Sequence, residues 1–437
     1  MQYTEIGIAE GKIVAAGRMV RGGDERIDLG SSMTILPGFT DPHVHLRDPG
    51  MTQKEDFSTG TLAAVHAGVT CVLDMPNTKP PVSDYDTLMA KKRAVKGRAH
   101  TDYGLFAAVT PSLNAGMLAP LVPGFKLFMG STTGNILLND DAELVPAVRA
   151  ALATGKRVSV HAEDDSLIRR EPAKCTRDHL RNRPAEAELN AIRRLASNFK
   201  GQRINICHIT TPEGLDMAKA AGFTVETTLH HITFDVDRNP GAFYKVNPPI
   251  RNAECRDALH RRFLAGDMDM IGTDHAPHTE DEKCQDFDSA PGGMPGVETS
   301  MPIVMDMVRR ELIPLSQAVR MGAEAPCDAF SIPKGRIAAG MDADLAIFDM
   351  RMSAPIDPKR MHSKCGHTEY GGFPAVFPRQ VLVKGEVQID GGEFCGEALG
   401  RDICGLRGGL FRSHRQESGM PGAVRHVLPL PAGGAPR

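Results

Sequence analysis

The chain has 437 residues, enough for one barrel-sized domain with a smaller unit attached. Its 51 Lys and Arg against 54 Asp and Glu leave a formal charge of -3, which excludes a broad cationic surface for nucleic acid or anionic lipid and points to a small-molecule partner. There is no long apolar run, no basic or apolar leader in MQYTEIGIAEGK, and no CxxC pair among nine cysteines, so the expectation is a cytoplasmic protein with no membrane contact, disulfide framework or thiolate zinc site.

The first elements are short β runs with glycine turns, IGIAEGKIVAAG. MTILPGFTDPHVHL follows and reads as the first of eight strand candidates; the others are VTCVLDMP, YGLFAAVT, GFKLFMG, RVSVHAED, INICHIT, FTVETTLHHITF and DMDMIGTDHAP. Helix-like segments lie between most of them, among them DYDTLMAKKRAV, DAELVPAVRAALATG, AEAELNAIRRLASN and AECRDALHRRFLAG, several closed by glycine. Such alternation implies a parallel sheet wound with helices, and eight units close a (β/α)8 TIM barrel, an α/β fold, over residues 35–331. ADLAIFDM and RQVLVKGEVQID return to β runs without helices, so a small β-sandwich-like unit is expected from both termini, 1–34 plus 332–392. Residues 393–437, rich in Gly, Arg and Pro without apolar periodicity, read as an irregular tail.

Polar residues gather at the carboxyl ends of these runs, where this barrel class places its chemistry. In DPHVHLRDPG, His43, His45 and Arg47 alternate, so an extended strand would aim two imidazoles and a guanidinium to one face. Two histidines at this spacing suit a metal or simple packing, and Arg47 suits an anion or an ion pair with Asp48 or Asp56. His161, His208 and the carboxylate of Asp274 each end an apolar run and need a partner if buried. Lys126, inside GFKLFMG, either snorkels to solvent or loses its proton and adds carbon dioxide, giving a carbamate able to bridge two cations. Four imidazoles and a carboxylate suit two divalent ions such as zinc.

The blocks PGFTDPHVHLRDPG, DMPNTKPPVSD, GFKLFMGSTTGN, VHAED, CHITTPEG, VNPPIR, GTDHAPHTEDEK and PGGMPGVET, in this order, resemble the amidohydrolase superfamily, and more narrowly its dihydroorotase branch, over residues 5–392. The resemblance implies one metal held by His43, His45, Asp274 and carboxylated Lys126, and a second held by Lys126, His161 and His208. It implies a clamp on the substrate carboxylate from Arg47, Asn77 and His278, and ring contacts from Asn247 and the backbone of Gly292 and Gly293. The implied activity is the reversible cyclisation of N-carbamoyl-L-aspartate to L-dihydroorotate, with a hydroxide between two metal ions and Asp274 moving the proton. It further implies a homo-oligomer that could associate with aspartate transcarbamoylase. Allantoinase and hydantoinase resemble the same metal blocks, and a non-catalytic dihydroorotase-like subunit is a third alternative. Some relatives replace the carbamate by an aspartate, which makes Asp140 and Asp141 rival bridges to Lys126. His66, His100, His230, His231 and His275 match no metal role and are expected to be structural.

Overall fold

The computed structural model describes residues 5–20, 22–132, 134 and 136–405, and the backbone of 425–429. It opens with an antiparallel hairpin, β1 (Glu5–Ala9) and β2 (Lys12–Gly17), and continues through β3 (Glu25–Leu29) and β4 (Met33–Pro37). Eight parallel strand positions then make the barrel: β5 (Phe39–Val44), β6 (Val69–Asp74), β7 (Asp102–Leu105) continued past Phe106 by β8 (Ala107–Ala108), β9 (Gly124–Phe128), β10 (Arg157–His161), β11 (Ile204–Ile206), β12 (Thr224–Thr227) and β13 (Met270–Ile271). Strands β5 to β9 are buried along their whole length, as expected when side chains fill the inside and helices cover the outside.

The first apolar run does not form one strand. It breaks at Gly38 into β4, which joins the small unit, and β5, which enters the barrel. A Cβ at Gly38 would stand 2.2 Å from Thr70 Oγ1, so only glycine lets the backbone cross from one sheet to the other. The seam between β13 and β5 is closed by few bonds. His45 N donates to the carbonyl of His275 (2.8 Å), and Asp41 accepts from the backbone N of Thr273 (3.1 Å) and from its hydroxyl.

Helices predicted between the runs are present at Tyr85–Val95, Asp141–Ala153, Ala185–Phe199 and Ala253–Leu264. Asp84, Asp140 and Asn252 cap three of them through side-chain oxygens, as residues of this type do at exposed N–H groups. After the barrel come β14 (Leu345–Asp349), the short pair β15 (Ala354–Pro355) and β16 (Pro374–Ala375), β17 (Pro378–Val383), β18 (Glu386–Asp390) and β19 (Glu393–Phe394). They join β4 in a sheet of order β19-β18-β17-β14-β4. Ile6, Ile8, Ile13 and Leu29 from the amino-terminal strands pack with Leu345, Ile347 and Leu382, forming a core between two sheets.

The segment expected as an irregular tail departs from that reading in three places. Besides β19, Tyr103 N donates to the carbonyl of Arg401 (2.9 Å), and β20 (Arg425–Pro429) lies between β1 and β3. Sheet edges recruit backbone whether or not the side chains alternate, which is why periodicity missed them. The rest of that tail lies outside the described residues. No helix among the described residues is long and apolar enough to cross a membrane.

Candidate active site

The carboxyl ends of the strands surround an open cleft. His43 projects into it from β5, Lys126 from β9 and His161 from β10. His45, His208 and Asp274 stand on the loops just beyond β5, β11 and β13. Three of the seven described non-glycine residues with positive φ are here: Arg47 (60°), His208 (36°) and Asp274 (46°). Their strained turns re-aim side chains inward, a common feature of functional sites. Arg47 therefore reaches the cleft by a left-handed turn, because β5 ends at Val44 and does not extend through the whole HxHxR segment.

Six side chains of this group are almost fully buried, from Lys126 at 0% to His45 at 8% exposure. Asp274 Oδ1 lies 3.0 Å from His45 Nε2 and 3.5 Å from His43 Nε2. Lys126 Nζ is 3.4 Å from His43 Nε2 and 2.9 Å from Cys207 Sγ, while His161 Nδ1 is 3.2 Å from His208 Nε2. His43, His45 and Asp274 can converge on one ion.

An outer layer fixes which ring nitrogens face inward. His161 Nε2 donates to Glu163 Oε2 (2.8 Å), and Arg183 holds that carboxylate from behind. His45 Nδ1 donates to Asn77 Oδ1 (2.6 Å), and His43 Nδ1 faces Glu226 Oε2 at 3.4 Å. With these outer nitrogens carrying the protons, the inner ones are bare lone pairs. His45 Nε2 and His43 Nε2 then face the carboxylate of Asp274, acceptor against acceptor, a conflict that a cation resolves. Burial, opposed by Asp274, pushes His45 down to about 4, and burial also lowers His161 and places His208 well below its ordinary range. Neutral imidazoles are the form that binds metal. Protonated imidazoles at His43, His45 and His208 would hold Asp274 well below the usual carboxylate range against burial, and with those rings neutral a cation takes over that role. The donor set fits divalent cations.

Arg47 is 2% exposed and donates through Nε to the carbonyl of Pro277 (3.1 Å). Burial lowers it to about 10, with Asp274 and Asp74 opposing. The ion pairs open to it in sequence are not made; Asp48 and Asp56 both pair with Arg98. Asn77, Asn247, Gly292 and Gly293 line the same cleft, and His278 stands behind its wall with Nε2 3.2 Å from Arg47 Nη2. Gly293 has φ 143°, and a Cβ there would meet the carbonyl oxygen of Ala276 at 2.3 Å. Asp140 and Asp141 are elsewhere: one caps the helix Asp141–Ala153 and the other pairs with Arg194 at 2.6 Å. His231 bonds Thr228 (2.7 Å) and the carbonyl of Pro248 (3.0 Å), and does not line the cleft.

Sequence reasoning missed Glu163, Arg183, Cys207 and Glu226. Glu226 was findable, since a carboxylate inside FTVETTLHHITF is as anomalous as the amine of Lys126 in its own run.

A model of the amidohydrolase family matches residues 34–387. A dihydroorotase of Thermoplasma volcanium is 34% identical over 376 residues, covering 84% of this chain and 87% of its own. A dihydroorotase of Pyrococcus furiosus is 35% identical over 408 residues, covering 91% and 92%. Among solved structures, an L-hydantoinase (dihydropyrimidinase) from Arthrobacter aurescens aligns with a TM-score of 0.85 and 26% identity over 91% of this chain and 95% of its own. A D-hydantoinase (dihydropyrimidinase) from a Thermus species gives 0.81 and 26% over 91% and 94%.

Proposed function

The chain belongs to the amidohydrolase family, and from that premise we propose that it catalyses the reversible cyclisation of N-carbamoyl-L-aspartate to L-dihydroorotate and water, the step named by its curated relatives. The observation that carries this reading is the meeting in one cleft of His43, His45, Lys126, His161, His208 and Asp274 with the buried cation of Arg47. Two divalent ions, zinc by preference for these nitrogen and oxygen donors, would be held by His43, His45, Asp274 and Lys126 and by Lys126, His161 and His208. When bound they supply a Lewis acid for the amide carbonyl and a water acidic enough to attack it near neutral pH. Lys126, as its carbamate, would be the ligand common to both.

The chain's own groups do the rest. Asp274 removes a proton from the ureido nitrogen during ring closure and returns one to the leaving nitrogen during ring opening. Arg47, Asn77 and His278 hold the substrate carboxylate, and Asn247 with the backbone at Gly292 and Gly293 orients the ring. The reading extends to a cytoplasmic homo-oligomer able to dock on aspartate transcarbamoylase, which sizing of the protein alone and with that enzyme tests.

The solved hydantoinase relatives give a second reading, a cyclic amidohydrolase acting on rings without a carboxylate. A buried guanidinium at Arg47 argues against it, since its remaining N–H donors at the cleft suit a carboxylate that hydantoin does not carry. Turnover of L-dihydroorotate, allantoin and hydantoin by purified metal-loaded protein distinguishes them. Dihydroorotate is expected to be preferred by roughly 10²-fold or more; equal or better turnover of hydantoin overturns the assignment.

A further inference from the structure

Lys54 is absent from every group assigned a role above. It lies on the loop after Arg47, with its side chain 12% exposed and its ammonium 2.9 Å from Glu282 Oε1 and 3.0 Å from His278 Nδ1. An ammonium only donates, so Nδ1 must be the bare nitrogen of that ring. The opposite side of the ring gives the same answer independently. His278 Nε2 lies 3.1 Å from the carbonyl oxygen of Gly292, which only accepts, so Nε2 carries the proton. Arg47 Nη2 is 3.2 Å from this same Nε2. Two N–H donors thus crowd together at the edge of the cleft, an arrangement that a carboxylate oxygen relieves by accepting from both.

Resting on the dihydroorotate reading, we infer that Lys54 is a positioning residue for the substrate carboxylate: by occupying Nδ1 it holds His278 as an Nε2–H donor beside Arg47. The groups facing His278 are Arg47 and Lys54 from the loop after β5, Lys283 and Glu282 from the helix Glu280–Lys283, Gly292 through its carbonyl, and His367, whose Nε2 donates to the His278 carbonyl at 3.0 Å. Burial, with Arg47, Lys54 and Lys283 close by, keeps the ring neutral. With Lys54 in place the tautomer is dictated. Without it the ring can turn its proton toward Glu282, whose Oε2 is 3.6 Å from Nδ1, and present a bare Nε2 to the substrate anion.

The test is kcat and KM for L-dihydroorotate from about pH 6 to about pH 8.5, for metal-loaded wild type, Lys54→Met and Lys54→Arg. Lys54→Met is expected to raise KM about tenfold across this range with kcat within about threefold, because burial, Arg47 and Lys283 still keep the ring neutral and its Nε2 can then be bare. Lys54→Arg, also a pure donor, is expected to keep KM within about twofold of wild type. A KM unchanged in Lys54→Met, a kcat that falls as much as KM rises, or an arginine variant as impaired as the methionine one overturns the inference. Should Lys54→Met fail to fold, Lys54→Gln, whose amide can accept as well as donate, carries the same expectation of a raised KM with kcat nearly kept, and an unchanged KM overturns it. Wild-type enzyme with no turnover of dihydroorotate overturns the functional reading itself and this inference with it.

Discussion

Lys126 has no exposed surface, and its ammonium touches a thiol, Cys207, and an imidazole, His43, with no carboxylate bonded to it. On the proposed reading, conversion of that amine to a carbamate would place anionic oxygens there that suit metal ions. Asp274 is placed differently, at the mouth of β13 with its carboxylate turned toward His45. If it carries the proton, Asp274→Asn should lower kcat for dihydroorotate by roughly 10²- to 10⁴-fold while KM stays within a few-fold. Steady-state rates measure this, and a loss under about tenfold would remove Asp274 from that role. At this scale the sequence was most readable where a residue type contradicts its neighbours. An amine in an apolar strand and histidines at strand ends stood out. Glu163 did not, because the polar VHAED around it hides a carboxylate whose burial only the fold reveals.

Strand β10 shows how an element holds its functional end in place. Just past His161, Asp164 is buried and accepts from Asn139 Nδ2 (3.0 Å), from Ser166 and from Asn190 on the helix Ala185–Phe199, with Arg194 at 3.1 Å. Burial alone would raise its pKa, but these bonds outweigh it and bring it to about 2, against 3.8 in the unfolded chain. The folded value lies below the unfolded one, so the stabilisation is complete above about pH 4 and is lost as pH falls toward 2. Allowing for screening by solvent, Asp164→Asn should cost about 1–2 kcal/mol near neutral pH, and about half of that difference should vanish at pH 3. Urea unfolding at the two pH values checks this; a deficit independent of pH would mean that packing, not ionisation, is lost. Element existence was legible because long apolar runs and amphipathic helices alternate. Boundaries were not: the break at Gly38 depends on contact with Thr70, and the two-residue β13 on a seam closed largely by side chains of Asp41 and Thr273.

Across the whole molecule, the candidate ligands come from five strand positions spread over more than half the chain, His43 to Asp274. No local segment can assemble the site, and its geometry is inherited from closure of the barrel. That is why a sequence could indicate the convergence while leaving Arg183 and Glu226 unseen; Arg183 meets Glu163, and Glu226 meets His43, only once the barrel has closed. The small two-sheet unit, by contrast, supplies none of the cleft-lining residues. The most direct test of this account is the divalent metal content per chain of purified wild-type protein and of the Lys126→Ala variant, measured by elemental analysis. The prediction is about two ions in the wild type and no more than one in the variant. Absence of metal from the wild type after loading, or two ions in both proteins, would contradict a paired centre bridged by Lys126.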